Sequence, residues 1–337
     1  MAEYFRPIVQ TDIAYPSDAQ RLAGGWGWFS QVEVLSRTRP PRIIAARDVD
    51  QADLAPLIAP RAPIAGITMD RPRVMGILNV TPDSFSDGGQ HNSVTKALAG
   101  AHGMQGADIL DIGGESTRPG AAVVPEEEEI ERTAPVIAAL REGGVSQTIS
   151  IDTRKAAVAA AALQAGANLV NDVSGFTFDP ALADHCAAQS APVCVMHAQG
   201  DPATMQQDPQ YDDVLLDVYD FLSAQIEMLV ARGIPKTQII ADPGIGFGKT
   251  LQHNLSLLAR LSLFHGLGVP ILLGASRKRF IGTIGQAEEV QDRMPGSLAV
   301  ALAALKHGTQ IVRVHDVPET VQAIALWRAA MAGCADG

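Results

Sequence analysis

The sequence predicts an α/β protein, a (β/α)8 TIM barrel with an amino-terminal extension, and three observations predict it. Eight short apolar runs recur: VMGILN (74–79), DILDIGG (108–114), TISIDT (148–153), NLVND (168–172), PVCVMH (192–197), QIIAD (238–242), PILLGAS (270–276) and QIVRVH (310–315). Near-continuous Val, Ile and Leu mark strands buried on both faces. A helix-compatible stretch follows each run, and each run ends in polar residues able to do chemistry. Eight strand–helix units close into a barrel whose active site lies at the carboxyl ends of the strands. There the sequence places Asn79, Asp152, Asn171, Asp242, Ser276, Arg313 and His315.

Residues 1–72 differ from the rest. They hold Trp26, Trp28, several prolines and a short apolar run at 42–46, and no catalytic motif. The expectation is an extension packing on the barrel or a partner, as a lid over the barrel's lower end, with 73–337 forming the barrel. After the third run, Thr153 is expected to start a helix through RKAAVAAAALQA, with Gly166 as its carboxyl-terminal cap. Asp179-Pro180 opens the next helix with a cap residue and a first-turn proline. Pro125 precedes Glu126, Glu127, Glu128 and Glu129, which read as a solvated first turn complementing the helix dipole.

The bulk numbers exclude several classes. With 26 basic and 37 acidic residues the formal charge is −11, which argues against nonspecific nucleic-acid binding through phosphate neutralisation. A local basic cluster could still hold an anionic substrate. No apolar stretch approaches the roughly 20 residues needed to span a bilayer, and no secretory signal is evident. Three dispersed cysteines suggest neither a disulfide framework nor a zinc site, and a reduced, cytoplasmic setting is expected.

The strand-end loops carry the chemistry. NVTPDSFSDGG (79–89) can fold over a ligand, and the Asn79 amide oxygen suits Mg2+; alone, Asn79 reads equally as a turn cap. In ESTRPGA (115–121), Arg118 stands between Thr117 and rigid Pro119, either to clamp a carboxylate or phosphate or to bridge to the four glutamates. Asp152, Asn171 and Asp242 are costly at the mouth of an apolar barrel unless paired. No run of basic residues follows these strands to neutralise them, so a ligand with several N–H donors is implied; a 2-amino-4-oxo-pteridine edge is one. DPGIGFGK (242–249) is glycine-rich without Walker A spacing, and its glycines bring Phe247 and backbone near a ligand. SRKRF (276–280) offers a hydroxyl and cations, Arg277 and Arg279 reading equally as surface charge. Arg313 and His315 alternate at the last strand end and face a phosphate site, with Asp316 and Pro318 capping the final helix.

Together these segments resemble one family. GILNVTPDSFSDGG, GADILDIGGESTRPGA, ISIDTRKAAVA, NDVSG, VMHAQGDPATMQ, DPGIGFGKTLQHNL, GASRKRFIG and RVHDV, spread in order over 74–330, are similar to the dihydropteroate synthases of the pterin-binding enzymes. The resemblance implies condensation of 6-hydroxymethyl-7,8-dihydropterin diphosphate with p-aminobenzoate, assisted by Mg2+ and typically in a homodimer. It implies a pterin held by Asp152, Asn171, Met196, Asp242, Lys278 and Arg313, with Asp152, Lys278 and Arg313 catalytic. The diphosphate would meet Asn79, through the metal, and Arg118, Arg313 and His315. The p-aminobenzoate would lie near Phe85, Thr117, Arg118, Pro119, Phe247, Ser276 and Lys278. A pterin-dependent methyltransferase is the nearest rival reading, disfavoured by ESTRPG and SRK; a catalytically silent barrel is another, disfavoured by the intact polar set.

Overall fold

The structure is a computed structural model describing residues 3–80, 89–116, 123–200 and 204–334, with only the backbone of 89–93. The extension forms strands β1 (Tyr4–Pro7), β2 (Gln20–Arg21), β3 (Trp28–Phe29), β4 (Gln31–Leu35) and β5 (Arg42–Ala45), then helix α1 (Gln51–Ile58). Strands β1, β4 and β5 pair antiparallel, and β2 pairs with β3. The extension has a small core of its own around Leu22, Phe29, Val32, Leu54 and Leu57.

The predicted eight strands form one parallel sheet: β6 (Arg73–Asn79), β7 (Ile109–Gly113), β8 (Thr148–Asp152), β9 (Leu169–Asp172), β10 (Val193–Met196), β11 (Ile239–Asp242), β12 (Leu272–Leu273) and β13 (Ile311–Val314). The order β11-β10-β9-β8-β7-β6-β13-β12 closes where the Ala241 N–H donates to the Pro270 carbonyl at 3.0 Å. Helices α2 (Gly89–Gly103), α3 (Glu126–Glu142), α4 (Ala156–Ala165), α5 (Pro180–Ala188), α6 (Val214–Ala231), α7 (Leu251–Ala259), α8 (Arg279–Gly285), α9 (Met294–Lys306) and α10 (Val317–Ala332) alternate with the strands.

Alternation along each strand divides the core in two. Leu110, Ile149, Val170, Val193, Ile239, Leu273 and Val312 face outward into the layer beneath the helices. Met75, Ile109, Leu169, Cys194, Ile240, Leu272 and Ile311 face inward and fill the lower barrel as an apolar plug. Ile64 and Met69 join that plug from below, and the Thr148 hydroxyl donates to the Ala65 carbonyl at 3.0 Å. Residues 64–69 therefore lie under the barrel. The rest of the extension packs against the helices instead. Tyr4 Oη bonds Asp220 at 2.9 Å, Arg37 bonds Asp217 and Asp220 at 2.7 Å, and the Trp26 indole donates to the Leu305 carbonyl at 2.9 Å.

Three local expectations need correction. Thr153 does not cap α4. Lys155 is the residue before the helix, and the Ala156 N–H is taken by Asp179 Oδ2 at 2.7 Å. Asp179 thus serves two helices, because its Oδ1 also accepts the Ala181 N–H of α5. Gly166 does end α4 in the left-handed region at φ 113°. The four glutamates do open α3, but Glu129 is buried and bonded to Lys155 Nζ at 2.5 Å rather than solvated. Asp316 precedes α10 without capping it; its carboxylate is bound by Arg277 Nε at 3.0 Å.

Candidate active site

Six inward positions of the upper barrel each stand two residues above a member of the plug. The pairs are Ile109 and Asp111, Leu169 and Asn171, Cys194 and Met196, Ile240 and Asp242, Leu272 and Gly274, Ile311 and Arg313. A two-residue strand repeat sends both members of each pair to the barrel interior, so the same alternation that builds the plug lifts a polar ring above it. Asn79, Gly113 and Asp152 form the next level.

Arg313 organises this ring. Its Nε donates to Asp111 Oδ2 at 2.5 Å and its Nη2 to Asp152 Oδ2 at 2.7 Å. No run of basic residues follows these strands, yet Asp152 is paired internally: its partner comes from the last strand, far along the chain but adjacent across the barrel. Asn171 Nδ2 donates to the same Asp111 oxygen at 3.2 Å. Asp111 Oδ1 remains buried without a partner. Burial pushes the Asp152 carboxyl up to about 7, Arg313 opposing and Asp111 reinforcing the rise. Burial likewise raises Asp242, against the Gly244 N–H that donates to its Oδ1 at 2.7 Å.

Two glycines leave room around these groups. A Cβ on Gly113 would lie 3.6 Å from Asn79 Oδ1 and 3.7 Å from Asp152 Oδ2, so both oxygens border one gap. A Cβ on Gly274 would lie 3.6 Å from Asp242 Oδ2 and 3.8 Å from Arg313 Cδ. These short contacts bring Asn79, Asp152, Asp242 and Arg313 to one mouth.

The upper rim comes from the fifth to eighth loops. Lys278 Nζ donates to the Ile245 carbonyl and lies 4.2 Å from the centroid of Phe247. Burial pulls Lys278 down to about 7, although Asp242 favours its charged form. Ser276 is buried, and its Oγ lies 3.0 Å from His315 Nδ1. Arg277, left open between surface charge and contact, is tied to Asp316. Met196 lies against the sixth loop, 3.2 Å from where a Gly244 Cβ would stand. That same Cβ would strike the His197 carbonyl at 1.9 Å, so Gly244, at φ +69°, exists for close backbone approach.

Residue-by-residue reading missed a second tier that holds the loops. Lys249 is buried and, among the described residues, forms no ion pair; its Nζ lies 2.9 Å from His197 Nδ1 and donates to the carbonyls of Gly244 at 2.8 Å and Phe247 at 3.0 Å. Glu115, at the root of the second loop, is bound by Arg154 and by Lys155 Nζ at 2.6 Å. Asp111 was missed because it sits inside an apolar run; its inward parity with Ile109 was the available signal. Phe85, Thr117, Arg118 and Pro119 lie outside the described residues. Among the described residues no cluster of three or more His, Cys, Asp or Glu side chains could hold a metal ion.

Comparison with known proteins gives this geometry its context. The family model described as pterin binding enzyme matches residues 75–315. The chain belongs to the pterin-binding enzymes. Within that family it is 47% identical over 270 residues to the dihydropteroate synthase of Escherichia coli, covering 79% of this chain and 94% of the relative. It is 47% identical over 290 residues to that of a Synechocystis species, covering 83% and 100%. Among solved structures, a Yersinia pestis dihydropteroate synthase with a sulfonamide drug complex superposes with a TM-score of 0.75 at 47% identity, over 81% of this chain and 99% of that one. A Xanthomonas albilineans dihydropteroate synthase in complex with 7,8-dihydropteroate gives 0.73 at 44%, over 81% and 99%. No described helix is long and apolar enough to cross a membrane.

Proposed function

We infer that this protein is a dihydropteroate synthase, a transferase that joins 6-hydroxymethyl-7,8-dihydropterin diphosphate to p-aminobenzoate and releases pyrophosphate in folate biosynthesis. One observation carries the reading: carboxylates and an amide ring the mouth of a barrel that is 47% identical to enzymes of that name. A pterin presents several N–H donors on one edge, which is what Asp152, Asn171 and Asp242 can accept. Lys278 would donate to the ring carbonyl, Met196 would pack on the ring face, and Arg313 would hold Asp111 and Asp152 in place beneath it.

Chemistry follows from charge. As pyrophosphate leaves, positive charge develops on the pterin methylene, and ionised Asp152 would stabilise it electrostatically. The aniline nitrogen of p-aminobenzoate, stacked near Phe247 and bordered by Ser276, Lys278 and, by resemblance, Phe85, Thr117, Arg118 and Pro119, then attacks. Holding both reactants in contact contributes up to about 7–11 kcal/mol in ideal cases. His315, Arg118 and Arg313 would take the diphosphate.

The donor set fits Mg2+ arriving with the diphosphate rather than a protein cage. Asn79 Oδ1 is a hard oxygen donor at the mouth, while Asp152 Oδ2 is taken by Arg313 Nη2 at 2.7 Å. Bound there, Mg2+ would neutralise charge on the leaving group. A homodimer acting in the cytoplasm completes the proposal; its three cysteines are free.

The test is purified protein with the pterin diphosphate, p-aminobenzoate and Mg2+. Equimolar pyrophosphate and dihydropteroate, abolished by EDTA and restored by Mg2+, is the expected outcome. Methyl transfer from methyltetrahydrofolate to a corrinoid acceptor, with no pyrophosphate formed, would replace the reading with the rival one.

A further inference from the structure

Away from the barrel mouth, the extension and α10 border an open cavity of about 310 Å3, at the lower end of the size range of small-molecule sites. Tyr15, Trp26 and Trp28 wall it on one side, and Trp327 and Met331 on the other. The chain has three tryptophans, and all of them stand here. Two of the indoles are fixed by their N–H groups, Trp26 to the Leu305 carbonyl and Trp28 to the Asp12 carbonyl, both at 2.9 Å. Their faces are what remains for contact. The Trp327 N–H is buried without a partner, and a small ring shift toward an occupant would relieve it.

Charge narrows the occupant. Arg21 and Arg328 line the cavity, and among the described residues neither guanidinium is in an ion pair. Arg21 makes one bond, to the Gly25 carbonyl at 3.1 Å. Among the described residues the lining's one carboxylate, Asp12, already accepts the Ala14 N–H at 2.8 Å. A net positive lining in a chain of charge −11 is a local reversal. At the rim, Ile13 and Tyr15 are 68% and 62% exposed, the Tyr15 ring tilted over Trp28 at 6.1 Å between centroids.

We propose that this cavity binds a flat aromatic anion, its ring stacked on the indoles and its charge met by Arg21 and Arg328. Stacking favours flat rings, and a guanidinium fork favours a carboxylate or comparable oxyanion. The extension half of the cavity, residues 11–28, lies outside the matched family region of 75–315. One half of the site therefore belongs to what this chain adds to the barrel, and the site stands or falls independently of the reaction assigned to the mouth.

Calorimetry of the full chain with 2-naphthoate tests it, alongside uncharged 2-naphthalenemethanol and non-aromatic cyclohexanecarboxylate. One saturable site per chain is expected for 2-naphthoate, with a change in tryptophan emission. Both comparison compounds should bind about tenfold or more weakly, as should 2-naphthoate to Arg328→Gln and Trp327→Leu. Turnover of both variants should match the parent, which shows that they fold. Absence of saturable binding, equal affinity for either comparison compound, or unchanged affinity in both variants would overturn the proposal. So would inhibition competitive with p-aminobenzoate that persists in both variants, which would put the ligand in the barrel mouth.

Discussion

Arg313 Nη2 lies 2.7 Å from Asp152 Oδ2, joining the last barrel strand to the third across the interior. Neither group is tolerable there alone. Removing one member of a buried pair costs about 3–5 kcal/mol, because the other charge is stranded. Arg313→Met should therefore lower unfolding stability by about that amount at pH 8, read from urea denaturation. A loss close to zero would mean that solvent already compensates Asp111 and Asp152.

Titration of Asp152 gives a second expectation. Its carboxyl is raised by burial from 3.8 to about 7, so ionisation grows as pH rises through about 7. Because kcat/KM reports groups of the free enzyme, its acidic limb should fall near pH 7, and Asp152→Asn should remove that limb while reducing turnover more than pyrophosphate affinity. The stability consequence has the opposite sense. A raised folded-state pKa contributes stability that is full below about pH 4 and lost as pH climbs through about 7. Equal losses of turnover and pyrophosphate affinity, or an unchanged profile, would count against the role given to Asp152.

The ion cluster beneath the second loop provides a third. Lys155 Nζ bonds Glu115 at 2.6 Å and Glu129 at 2.5 Å, all three buried. Lys155→Met would leave two carboxylates facing each other and should cost about 3–5 kcal/mol in denaturation. The double variant Glu129→Gln/Lys155→Met should recover part of the loss. Additive losses would show that the pair does not interact.

Lys249 gives a fourth. Its Nζ joins His197 to the carbonyls of Gly244 and Phe247. Lys249→Met should leave those carbonyls unsatisfied, at about 1–3 kcal/mol each, and raise KM for p-aminobenzoate through a displaced Phe247. A normal KM with lowered stability would restrict Lys249 to a structural role.

Barrel strands were legible because burial on both faces writes itself as unbroken apolar runs. Asp152, Asn171, Asp242 and Arg313 were legible because strand ends of such runs are where polar groups need a reason. What was not legible depended on contacts across the barrel. Asp111 looks like one polar interruption in DILDIGG until Arg313 and Asn171 are seen to share its oxygen. Glu129 looked like its three neighbours because nothing local distinguishes the one carboxylate that meets Lys155. Asp179 was read as the cap of its own helix, and its second bond, to α4, joins residues 23 positions apart.

The central claim is that inward carboxylates at the mouth grip the N–H edge of a pterin. Calorimetric affinity for 6-hydroxymethyl-7,8-dihydropterin diphosphate, compared between the parent chain and Asp242→Asn, tests it most directly. The account predicts a loss of about a hundredfold or more, since a buried charge-assisted bond is replaced by an amide that also presents N–H groups to N–H groups. Equal affinity in the two proteins would contradict it.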